Sequence, residues 1–416
     1  MLKKILIDKE IKSRRIFRFV PPNRRAAFRN VVAGMHGKRV VHINATGIGG
    51  GVAVILRSLV PYLRALGVQS DWYVIDPAVG DDFFTVTNKI HNALQGGRIR
   101  ITAHEWKIYR DVNRSIADDL EKIDCDILVI HDPQPLLAGA LAHRDKHKIF
   151  FSHIDTSAAY GPVWKKLAPA ITAYKRVVFS NRAFVHAGIP QSKVRVFTPA
   201  IDPLIPKQTV VPRARARRYL ARFGIPTRGP LVVQVSRFDV WKNPLGVIEA
   251  FRLVQHAQPD AHLALVGFNE AKDNPAAASV YNDVAAVAKS APHISLFFHP
   301  HGIDIPRFSM MAQNAADAVV QNSIKEGFGL SVSEAMWKRQ PVIGGPASGV
   351  RKQITDGVDG FIVRTAEELA RKILFLLDHP AIKKKMGAAA REKARDHFLF
   401  PRMVRDHLAL YRDCLK

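Results

Sequence analysis

The chain has 416 residues, 47% apolar and 24% charged, with 62 Lys and Arg against 36 Asp and Glu for a net charge of +26. That length exceeds what one core usually serves, about 250–300 residues, so two domains are expected and global disorder is excluded. Cys125 and Cys414, the only cysteines, exclude a disulfide framework and fit a reducing cytosol.

Residues 1–39 hold 12 basic and 2 acidic side chains. Their Lys and Arg leave no apolar run for a secretory signal. Within them IKSRRIFRFVPPNRRAAFR (11–29) mixes Arg with Phe as interfacial segments do, and Pro21-Pro22 interrupts it. Residues 1–38 are therefore set apart as a basic extension, with a solvated tail or an anionic membrane surface as its two readings. Arg39–Asn44 then reads as a strand. The uncharged stretch around it, 40–56 apart from His42, is 17 residues long with four glycines, short of the ~20 that span a bilayer. Gly51–Leu66 has helical apolar spacing, with Gly67 as its stop. Trp72–Asp76, Ile99–Thr102, Asp126–His131, Lys148–Ser152, Arg176–Ser180 and Val194–Thr198 continue as strands between helices. That alternation predicts βαβ units and a parallel sheet.

Residues 199–212 contain four prolines and no period, which predicts a linker. Residues 206–228 add 7 basic and no acidic side chains. The alternation restarts at Leu231–Ser236. Pro244–Gln255 is a helix with Asn243 at its N-cap. Ala261–Gly267, His293–Phe298, Ala318–Gln321, Pro341–Gly344 and Gly360–Val363 are further strands, and helices run from about Ala366 to the end. The domains are thus 39–205, which a C-terminal helix at about 400–416 rejoins, and 206–399. Residues 379–416 carry 10 basic and 4 acidic side chains, so with 1–39 and 206–228 three segments hold +23 of the +26. The remaining 316 residues are nearly neutral.

Three motifs carry chemistry. Gly47-Ile48-Gly49-Gly50-Gly51 joins a strand to a helix, where backbone amides can approach an anion or a sugar. A dinucleotide fingerprint fails there at Val52, though Asp76 ends the next strand as a ribose-binding acid would. A plain tight turn remains the alternative, and nothing matches a P-loop. Ser236–Pro244 (SRFDVWKNP) places Arg237 and Lys242 five apart in front of a helix N-terminus, a pattern that suits a diphosphate. Glu326–Glu334 (EGFGLSVSE) sets two carboxylates eight apart around a glycine loop that opens a helix. Carboxylates accept from hydroxyls, and the amides of Leu330 and Ser331 are free at a helix start. Ser331-x-x-Glu334 also reads as a capping box. His104-Glu105 begins like a zinc motif, but Ile108 stands at the second histidine position, and His299-Pro300-His301 reads as a loop.

SRFDVWKNP, EGFGLSVSEAM and GIGGGVA resemble the retaining GT-B glycosyltransferases of family 4. HINATGIGGGVAVILRSLVPYL, HDPQP (131–135), HID (153–155), PAIDPL (199–204) and EAMWK (334–338) resemble its trehalose glycosyltransferring synthases. The likeness runs from about Arg39 onward. It implies a GT-B fold, two Rossmann-like doubly wound domains facing across a cleft. It implies that Arg237 and Lys242 bind the donor diphosphate, Glu326 the donor hexose and Glu334 the ribose. Gly50 and Gly51 would contact the phosphate end or the acceptor, and His153 would lie beside the donor sugar. His131, Asp132 and Asp155 would face the acceptor. No cofactor or metal is implied, because the two cations stabilise the leaving diphosphate. The substrates would be a nucleotide-sugar donor and a sugar acceptor, glucose giving trehalose.

Other readings remain on the sequence alone. A family 4 enzyme could act on lipid or envelope acceptors through its basic N-terminus, and a trehalose phosphorylase shares the motifs. A basic chain can bind polyanions, but no motif for a specific nucleic acid is present. The expected partners are the two substrates, an anionic membrane surface met by the basic segments, and a second copy in a homodimer. The expected location is the cytoplasm, peripheral to a membrane in the second reading.

Overall fold

A computed structural model describes residues 1–7, 10–48, 50–143, 145–267, 277–289, 291, 293–298 and 303–416. Gly49 and the His299–His301 segment fall outside the described residues. The chain divides into two compact units, Met1–Pro199 with Phe400–Lys416, and Ala200–Leu399.

The first unit is built on β1 (Leu2–Lys4), β2 (Arg39–Asn44), β3 (Gln69–Ile75), β4 (Ile127–His131), β5 (His147–Ser152), β6 (Arg176–Phe179) and β7 (Val194–Val196). Their order is β1-β3-β2-β4-β5-β6-β7. All pairs are parallel except β1 with β3. Every residue of β4 is buried, because helices cover both faces of a parallel sheet. The order reverses between β2 and β4, where α/β sheets open a crevice at their strand ends. The helix Phe400–Leu415 covers one face, with His407 stacked on Phe151 at 5.1 Å and Tyr411 edge-on to His42.

Three expectations change here. Ile99–Thr102 is not a strand. Its β-branched residues lead into the helix Ala103–Glu121, where Thr102 and Glu105 form a reciprocal capping box. Glu105, the acid of the zinc-like dipeptide, is thereby spent on a helix end. Leu2–Lys4 is a strand that three residues were too short to announce. It extends the sheet edge, Leu2 facing Ile75, and its lysines blunt that edge.

The basic extension is not a solvated tail. Ile11, Ile16, Val20, Phe28, Val31 and Met35 are buried in the first unit, and each such burial stabilises by about 1.5–3 kcal/mol. The helices Ser13–Phe17 and Arg25–Ala33 keep their cations outside. Gly34 lets the second approach Arg412 of the C-terminal helix closely. The apolar side chains that an interfacial helix would insert are thus inside the unit. No helix among the described residues is long and apolar enough to cross a membrane.

The second unit contains β8 (Leu231–Val235), β9 (His262–Val266), β10 (Ile294–Phe297), β11 (Ala318–Gln321), β12 (Val342–Gly344) and β13 (Gly360–Ile362). They are all parallel, in the order β10-β9-β8-β11-β12-β13. The order reverses between β8 and β11. Most of the predicted linker packs onto this unit: Ile201 bridges to Leu399, and Asn314 binds both Val211 N–H and Thr209 C=O. The basic connector is partly consumed internally. Arg217 is buried and shares Asp317 with Arg213, both at 2.6 Å.

Candidate active site

The loops after β8 and β11 leave the second sheet side by side at its reversal. In the first, Asp239 accepts from Trp241 N–H and shapes a short turn over Val240–Lys242. Asn243 follows at φ 49° and caps the helix Pro244–Ala257, with Pro244 in its first turn, as its cap chemistry predicts. Arg237 is 45% exposed, its guanidinium 3.8 Å from the Asp239 carboxylate. Lys242 closes on Glu326 of the other loop, the two side chains only 13% and 16% exposed. Ile324 N–H also binds Trp241 C=O at 2.8 Å, and Lys325 lies over the Trp241 ring at 4.4 Å. Topology thus joins residues 84 apart into one ionic pair.

The glycine loop is held from behind. Gly329 at φ 82° is the N-cap of the helix Leu330–Trp337. Gln353, fully buried, donates to Phe328, Gly329 and Gly349 carbonyls and accepts from Ser333. Any side chain at Gly349 would strike the Glu326 carbonyl at 2.5 Å. The Leu330 and Ser331 amides meet no acceptor among the described residues, which leaves two donors for a ligand.

The capping box fails. Ser331 Oγ donates to Gln321 at 2.8 Å, while Glu334 turns the other way and is 3% exposed. Its Oε1 takes Lys207 Nζ at 2.8 Å and Gln208 Nε2 at 3.2 Å. Its Oε2 is buried without a partner among the described residues, which is costly for a carboxylate unless a ligand hydroxyl fills it. Lys338, one turn on, donates to Gln208 at 3.1 Å, and burial pushes its ammonium down to about 7. Lys207, Gln208, Lys338 and Gln353 escaped sequence reasoning. Only Lys338 had a signal, its i,i+4 spacing from Glu334.

In the first unit, Gly50 and Gly51 begin the helix Gly50–Ala65, the next helix after β2. A methyl group added at Gly51 would meet nothing within 4 Å. His153 follows β5 and is half-buried. Its backbone N–H binds Asp132 Oδ1 at 2.8 Å, and its ring Nε2 meets His131 Nδ1 at 3.0 Å. His131 in turn meets His42 Nδ1 through Nε2 at 3.1 Å. His131, expected on the acceptor side, is 1% exposed with both ring nitrogens engaged by His42 and His153. Asp132, at φ 62°, likewise spends one carboxylate oxygen on His153. Asp155 accepts from Ser157 N–H and Oγ–H, so it organises its own turn. Burial holds all three rings neutral, His42 down to about 3, His131 well below and His153 below the ordinary value.

Residues 42–186 match the model of the trehalose synthase N-terminal domain, and 216–393 match that of the group 1 glycosyl transferases. A trehalose synthase of Rubrobacter xylanophilus is 38% identical over 387 residues, covering 92% of either chain. One of Pyrococcus horikoshii is 36% identical over 382 residues, 92% of this chain and 90% of its own length. Among solved structures, a UDP-forming α,α-trehalose-phosphate synthase from Burkholderia xenovorans, in complex with glucose-6-phosphate, superposes with a TM-score of 0.72. It is 14% identical and covers 90% of this chain and 100% of its own, so it speaks to the fold, which is GT-B.

Proposed function

We propose a reaction for this chain from the family it belongs to: it is a glycosyltransferase of the trehalose synthase family, and it moves a hexosyl group from a nucleoside diphosphate sugar to a free sugar with retention. Glucose as both donor sugar and acceptor gives trehalose. The observation that carries the reading is the Lys242–Glu326 pair beside exposed Arg237 at the reversal of the second sheet. A diphosphate replaces Glu326 as the partner of Lys242, and the freed carboxylate accepts from hexose hydroxyls. Arg237 and the Leu330 and Ser331 amides add donors to the phosphates. Glu334 Oε2, buried and unpartnered among the described residues, takes a ribose hydroxyl. On the family resemblance, His153 serves the hexose, and Gly50 and Gly51 serve the phosphate end or the acceptor.

In the step itself, the bond from the anomeric carbon to the β-phosphate oxygen breaks. The acceptor oxygen bonds on the same face, and its proton passes to the departing phosphate. No carboxylate nucleophile is needed. Arg237 and Lys242 provide the preorganised charge that stabilises the leaving group, so turnover persists in a chelator.

The test is a matrix of donors against acceptors, with nucleoside diphosphate release measured and the product anomers assigned by NMR. An α,α-1,1-linked disaccharide is expected. Activity confined to a lipid extract, or dependent on inorganic phosphate, sinks the reading. Full activity of both Arg237→Ala and Glu326→Ala sinks the site.

A further inference from the structure

The histidine row of the first unit carries a second conclusion, which rests on the reading that His153 meets the donor hexose. His42 within β2, His131 at the end of β4 and His153 just after β5 share one face of three neighbouring strands. Register explains this: His42 pairs with Val129, two before His131, and His131 pairs with Phe151, two before His153. Residues two apart share a face. Parallel pairing therefore lines the rings up diagonally, stacked at 5.4 and 5.3 Å between centroids. The C-terminal helix roofs the row, with His407 on Phe151 and Tyr411 at His42.

Proton counting then decides the tautomers. Three neutral imidazoles carry one N–H each. The two ring-to-ring contacts use two of these protons, and the third must emerge at an end. One end is His42 Nε2, which is buried and has no hydrogen-bond partner among the described residues. A buried N–H without an acceptor is rare and costly, more so than an unmatched lone pair. The other end is His153 Nδ1, which meets no protein partner among the described residues. We infer that His42 and His131 are positioning residues that lock His153 in its Nδ1–H form, so that it offers the hexose a hydrogen-bond donor and never a base. His42 Nδ1–H donates to His131 Nε2, and His131 Nδ1–H donates to His153 Nε2. The ligand atom that His153 recognises is then an acceptor oxygen, such as a hexose hydroxyl.

The experiment is long-range proton–nitrogen NMR on the full chain with labelled histidine, alongside steady-state kinetics. Wild type should show His153 protonated at Nδ1 with Nε2 accepting. His131→Phe keeps the stacked ring but cuts the relay. His153 should then populate both tautomers, and KM for the donor should rise roughly 3- to 10-fold with kcat changed less. His131→Gln, which can accept on one side and donate on the other, should restore both readouts. If His131→Phe does not fold, His131→Leu cuts the same relay and should mix the His153 tautomers in the same direction. Nε2–H at His153 in wild type, or an unchanged tautomer in the cut relay, overturns the lock. A locked His153 in a chain that transfers no hexose leaves the relay standing and overturns the functional reading instead.

Discussion

The two units solve the same placement problem with opposite electrostatics. Both gather their chemistry at strand ends where the sheet order reverses. The second unit does so with ions, Lys242 on Glu326 and Lys207 on Glu334. The first does so with neutral imidazoles bonded only to one another. Ions are suited to a leaving group that gains charge. Neutral donors of fixed direction are suited to hydroxyls that do not. The net charge of +26 therefore says little about the chemistry, since Arg217 and Arg213 serve Asp317 and the N-terminal cations line the outside.

The largest way to break this contrast is Arg237→Ala. If the second unit stabilises charge, nucleoside diphosphate release should fall roughly 100- to 1,000-fold, whereas a fall under tenfold would place the charge elsewhere. Next comes Lys207→Met, which leaves the buried Glu334 carboxylate with Gln208 alone. It should destabilise the second unit by roughly 2 kcal/mol, less than a fully buried pair because Lys207 is 30% exposed. Adding Glu334→Gln should recover that loss in a denaturant titration; no recovery would mean the pair is not ionic.

Acid titration sharpens the other side. His42 and His407 are held down to about 3 and about 4 by burial. The unfolded chain takes up their protons near pH 6.5 and the folded one does not. The stability these two groups contribute to the first unit is therefore full above about 6.5 and is lost as pH falls towards about 3. Calorimetry should show a shallower acid limb in His42→Phe, and an unchanged limb would contradict neutral burial. The smallest effect is Gly51→Ala. The site has open space and a helical backbone, so thermal stability should hold or rise slightly. A drop in kcat/KM without loss of stability would then report a ligand approaching that backbone.

Much of the fold was legible because parallel strands declare themselves as apolar runs. Leu231–Val235 and Ile127–His131 are found where continuous burial predicts. Ile99–Thr102 misled because β-branched residues also suit the extended approach to a helix cap. The site was legible where one loop holds the partners, as from Arg237 to Asn243. It was not legible where partners come from distant strands.

Sequence by itself determined two α/β domains, the helix cap at Asn243, and the chemistry available at Arg237, Lys242, Glu326 and Glu334. These are local properties of spacing and side-chain type. Tertiary structure alone decided the pairings. It put Lys242 on Glu326 and Lys207 on Glu334, and folded the N-terminal segment into a core. It also set three histidines in register, because strand neighbours in a sheet are chosen by burial across the whole unit rather than by nearness in the chain.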